Sequence, residues 1–157
     1  MPFTVSSSDL QDGGVLPDAQ VQARGNTSPH LKWSGAPEGT KSYAVTCFDP
    51  DAPTGSGFWH WTVANIPAGV TELRTGASSG SLPAGAVEGR TDFGAPGFGG
   101  AAPPPGHGPH RYIFTVFAVD VDQLPVTAEN SGAVFGFNLH FHTLAKASIT
   151  ATYENRG

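Results

Sequence analysis

The run RYIFTVFAVDV, Arg111 to Val121, is apolar on both faces from Tyr112 to Val119. Side chains alternate across a strand, so a strand with no polar face must be covered on both sides. That places it in the middle of a sheet lying between other layers. Shorter runs supply the neighbours. In SYAVTCF, Tyr43, Val45 and Cys47 face one way and Ala44, Thr46 and Phe48 the other. In FWHWTVANI, Trp59, Trp61 and Val63 alternate with His60, Thr62 and Ala64, and Ile149, Ala151 and Tyr153 alternate in ASITATYE. A further short strand opens the chain at FTV. Gly (21) and Pro (14) punctuate these runs with turns. One segment changes period: Val134, Phe137, Phe141 and Leu144 fall at helical spacing, with Ser131 as N-cap. The expectation is one β-rich domain, residues 1–157, with one or two short helices.

Thr75 to Pro109 has almost no periodicity and is too long for an ordinary connection. Its aromatic and proline content favours a packed functional loop. Composition excludes several roles. Eight Lys+Arg, scattered, and a net charge of −5 give no basic footprint for nucleic acid or an anionic membrane. No apolar run approaches bilayer length and no secretory leader opens the sequence, so the expected location is cytoplasmic. The lone Cys47 sits in an apolar strand and reads as core.

The polar residues that stand out lie in two stretches, FDPDAPTGSGFWHWTVANIP and PPPGHGPHRYIF. Asp49 and Asp51 end a strand at a Pro-rich turn, where aspartate also serves turn geometry. His60, between two tryptophans, needs partners for its ring nitrogens if buried, and an aspartate would serve. His110 and Tyr112, two apart, share a strand face; Arg111 points away as a structural residue, and His107 reads as an exposed loop residue. Neither HGPH nor HFH comes with a convincing carboxylate or thiolate set, so no metal is expected. There is no GxSxG elbow and no P-loop, and no cofactor is implied.

Together the two stretches resemble the paired signature regions of the phosphatidylethanolamine-binding protein family, in its bacterial, Raf-kinase-inhibitor-like branch. The resemblance runs from FTV to ASITATYE. It implies an all-β, antiparallel Greek-key β-sandwich with a small anion pocket where the two regions meet. By motif position, it implies that Asp49, Asp51 and His60 come from the first region and His110 and Tyr112 from the second. Gly99, Gly100 and Pro104, with its neighbouring prolines, would complete the wall. Eukaryotic relatives commonly carry a C-terminal helix beside the pocket, whereas this sequence stops at YENRG after its last strand. The opening is then expected to be less gated, or covered by a second subunit in a homodimer.

The implied function is non-catalytic binding of phosphate, a carboxylate or a phosphorylated small molecule such as a phospholipid headgroup. His60, His110 and Tyr112 would serve as donors, helped by backbone N–H groups of the Gly-rich loop. Asp49 would accept from an imidazole N–H or from a proton held by the ligand. Two other readings stay open: masking of a kinase or protease partner by the pocket rim, and acid–base catalysis by Asp49, His60, His110 and Tyr112.

Overall fold

A computed structural model describes residues 2–157. The strands are β1 (Thr4–Ser6), β2 (Leu31–Ser34), β3 (Ser42–Asp49), β4 (Phe58–Pro67), β5 (Glu72–Leu73), β6 (Val87–Glu88), β7 (His110–Val119) and β8 (Thr143–Tyr153). One helix, α1 (Gly132–His142), precedes β8, and two short 3-10 turns lie elsewhere in the chain. The strands form two antiparallel sheets, ordered β1-β2-β5 and β6-β4-β3-β7-β8.

The main core fills the space between the sheets. Leu31, Trp33 and Leu73 of the small sheet meet Val45, Trp61 and Phe114 of the large one. On the other face of the large sheet, Phe135 and Leu139 of α1 cover Ala44, Ala64 and Val119. β7 is thereby buried from both sides, as its unbroken apolar run requires.

Two local readings change. Cys47 pairs with Trp61 while Phe48 pairs with Trp59, so His60 is the extra residue of a β-bulge. The bulge breaks the two-residue alternation. Trp61 enters the main core, whereas Trp59 turns to the opposite face and packs on Phe48, ring centroids 4.5 Å apart. The helix forms, and the Ser131 side chain accepts from the Val134 N–H at its start. Its buried side, however, is Gly132, Phe135 and Leu139. Phe137 and Phe141 are 67% and 63% exposed, and Leu144 belongs to β8. Gly132 explains the orientation, because a Cβ there would lie 2.2 Å from Trp59 Cγ. The helix therefore docks on its glycine side.

The long aperiodic segment is held by a few side-chain acceptors. Glu88 Oε2 receives the Trp61 indole N–H at 2.7 Å and the Ser78 hydroxyl at 2.6 Å. Asp92 receives the Trp59 N–H at 2.7 Å, and Asn26 Oδ1 receives the Gly100 N–H at 2.8 Å. These bonds tie the loop to β4 and fix its path toward β7.

Candidate functional site

Antiparallel pairing brings the end of β3 beside the beginnings of β4 and β7. Asp49, last in β3, pairs with Phe58, first in β4, while Phe48 pairs with Ile113 of β7. His110 and Tyr112 therefore start β7 next to Asp49, and the bulge delivers His60 to the same place. The four surround a cavity of about 190 Å³, lined also by Phe58, Phe93, Ala102, Pro103 and Pro104. That is below the range for drug-sized ligands and equals the liquid share of roughly six waters. The cavity suits a small polar group with a short organic extension.

Asp49, His60, His110 and Tyr112 are all buried. Asp49 Oδ1 accepts the Asp51 N–H at 2.7 Å, and Oδ2 lies 2.7 Å from His110 Nδ1. A carboxylate can only accept, so His110 carries its proton on Nδ1 in this bond. His110 Nε2 is 2.6 Å from His107 Nδ1, and the two nitrogens share one proton. His107 is thus joined to the site, with left-handed Gly106 (φ 74°) and Gly108 (φ 87°) shaping the turn around it. The neighbouring glycines were its only sequence signal, and they do not report a partner.

His60 Nδ1 lies 2.8 Å from the Gly99 carbonyl, which must accept, so Nδ1 bears the hydrogen and Nε2 presents a lone pair. Burial holds this imidazole below the ordinary histidine range, against the opposing pull of the Gly99 carbonyl and the Asp49 charge. Burial, with the Asp49 charge second, pushes the Tyr112 phenol far above its ordinary value. Its hydroxyl is buried and its hydrogen has no acceptor among the described residues, while the Ala102 N–H faces its oxygen.

The remaining sequence candidates lie elsewhere. Asp51 is absent from the cavity wall and is engaged by Arg111: Nε at 3.0 Å, Nη2 at 2.9 Å and the main-chain N–H at 2.9 Å. This fork clasps the first signature stretch to the second. Gly99 and Gly100 lie behind the wall, with their N–H groups given to the His60 carbonyl and Asn26. The Ala101 N–H goes to the Gln20 carbonyl at 3.0 Å. A Cβ on Gly99 would meet the Phe93 ring at 2.3 Å, so this glycine lets an aromatic wall residue close down. Pro104 does line the cavity. Phe58 and the turn residues Ala52 and Pro53 join it too, without any chemical signature that would have singled them out.

The clasp has a measurable signature. The Arg111 bonds hold the Asp51 carboxyl at about 2, below the ordinary 3.8 of a free aspartate. A depressed carboxyl stabilises the fold above its unfolded value and loses that contribution as pH falls through the folded one. The Asp51 contribution should thus fade between about 3.8 and about 2. In Arg111→Ala, carboxyl-carbon NMR should show the Asp51 midpoint moving up toward 3.8; no movement would mean the fork is not what holds it down.

Among the described residues no helix is long and apolar enough to cross a membrane, and no group of three or more His, Cys, Asp or Glu is arranged to hold a metal. The family model for phosphatidylethanolamine-binding protein matches residues 6–154. The UPF0098 protein YbhB of Escherichia coli (strain K12) is 54% identical, over 94% of this chain and 98% of its own length. The UPF0098 protein YbcL of the same organism is 52% identical, over 97% of this chain and 87% of its own. The crystal structure of E. coli YbcL, described as a new member of the mammalian family, superposes with a TM-score of 0.96 at 51% identity, covering 98% of this chain and 99% of that one. This chain belongs to the phosphatidylethanolamine-binding protein family.

Proposed function

We propose that the chain binds a small oxyanion, either phosphate, a carboxylate or a phosphorylated small molecule, in the cavity beside Asp49 without chemically altering it. The observation that carries this reading is the Tyr112 hydroxyl, buried beside the Asp49–His110 pair with no acceptor for its hydrogen among the described residues. Buried hydroxyls in native proteins nearly always have a partner, and a ligand oxygen in the cavity would supply one. Phe58 and Phe93 supply apolar walls for the organic part. No Lys or Arg lines the cavity. A few hydrogen bonds must therefore offset the cost of association, and the expected Kd for bare phosphate is on the order of 1 mM.

Calorimetry with phosphate, phosphoethanolamine and acetate tests this. Binding to the native protein that is lost in His60→Ala supports the reading; absence of binding, or equal binding by the variant, defeats it. The Asp49–His110–His107 chain supports a second reading, because it links a buried carboxylate to an exposed imidazole and so provides a route for protons. Turnover of a small substrate, abolished by Asp49→Asn or His110→Ala, would make the protein an acid–base enzyme.

A further inference from the structure

We infer that the cavity selects an oxyanion that still holds a proton, such as hydrogen phosphate or a phosphomonoester in its singly protonated form, over proton-free anions of the same size and charge. This rests on the oxyanion reading above and narrows its ligand class. The inference comes from a count of donors and acceptors at the wall. The His60 N–H is given to Gly99 and the His110 Nδ1–H to Asp49, while His110 Nε2 is engaged by His107. Thr54 gives its hydroxyl to the Gly57 carbonyl. The backbone N–H groups of Gly99, Gly100 and Ala101 are likewise committed, and that of Ala102, on the wall, faces the Tyr112 oxygen. Among the lining side chains, the Tyr112 hydroxyl is the one donor left without an acceptor. The atoms with capacity to spare are acceptors: the His60 Nε2 lone pair and the remaining lone pairs of the Asp49 carboxylate.

A ligand must therefore present both kinds of group. One oxygen takes the Tyr112 hydrogen, and one O–H is given to Asp49 or to His60 Nε2. Hydrogen phosphate has both. Sulfate, an ionised carboxylate and a phosphodiester oxyanion have no acidic hydrogen to give. Each would place a lone pair against a buried carboxylate and a buried lone pair, with no lining cation to compensate. A site built to receive a hydrogen bond rejects an analogue that lacks it by far more than a shape mismatch does, because its buried polar groups stay unpaired.

The test compares inorganic phosphate with sulfate on the native protein at about pH 8. Both are then dianions of similar size, and phosphate alone keeps a proton. Phosphate should bind at least tenfold more tightly by titration calorimetry. If sulfate binds as well as phosphate or better, the proton requirement is wrong and the oxyanion reading survives. If neither binds, both fall together.

Discussion

Asp49→Ala should destabilise the fold by about 2–4 kcal/mol in urea denaturation, the cost of leaving two N–H donors without their acceptor. The physical reason lies in what the substitution leaves behind. His110 keeps a buried Nδ1–H that has lost its acceptor at 2.7 Å, and the Asp51 N–H loses its own at 2.7 Å. The His110 N–H is buried where β3, β4 and β7 converge, and the Asp51 N–H is partly buried just beyond the end of β3. Domains of this size are stable by only about 5–15 kcal/mol, so the loss would be a large share of the total. Asp49→Asn keeps an acceptor oxygen of the same shape and should cost clearly less. A loss under about 1 kcal/mol in Asp49→Ala would show that water replaces the carboxylate easily, and that the pair is not isolated from solvent.

How much of this was legible in the sequence depended on whether a partner was local. The strands were readable because alternation over β3, β7 and the end of β8 records which face is covered. The convergence of the two signature stretches came from their resemblance to a family, since antiparallel register between β3 and β7 leaves no trace in either strand alone. The bulge at His60 defeated the alternation rule. One inserted residue sends Trp59 and Trp61 to opposite faces, and nothing in FWHWT marks it.

The helix shows a related limit. Its apolar stripe at 134, 137 and 141 is a valid helical pattern, yet a second pattern, Phe135 and Leu139, also fits the period. Close approach of Gly132 to Trp59 decides between them, and that contact spans more than seventy residues. Asn65 carries no signal in the sequence for the same reason. It sits at positive φ (61°) and binds both the N–H and the carbonyl of Leu124, a partner far along the chain. The donors expected from the Gly-rich loop were a reasonable guess from composition. Those of Gly99, Gly100 and Ala101 are committed to internal acceptors that only the folded loop reveals.

Tyr112→Phe should leave stability unchanged or raise it by up to ~1 kcal/mol, while weakening phosphate binding at least tenfold. Removing a hydroxyl from a core normally costs stability because its partner is stranded; here no acceptor for its hydrogen exists among the described residues, and what is lost is chiefly a desolvated group. The ring remains to fill its place against His60, centroids 5.2 Å apart. Ionisation does not complicate the comparison. Burial and the Asp49 charge keep the phenol protonated across the working range, so the hydroxyl acts as a donor throughout. If the hydroxyl serves a bound anion rather than an internal bond, stability and affinity should move in opposite directions. If the phenylalanine variant instead loses stability and binds phosphate as the native protein does, the hydroxyl has a structural partner, and the cavity loses the donor on which its anion chemistry depends.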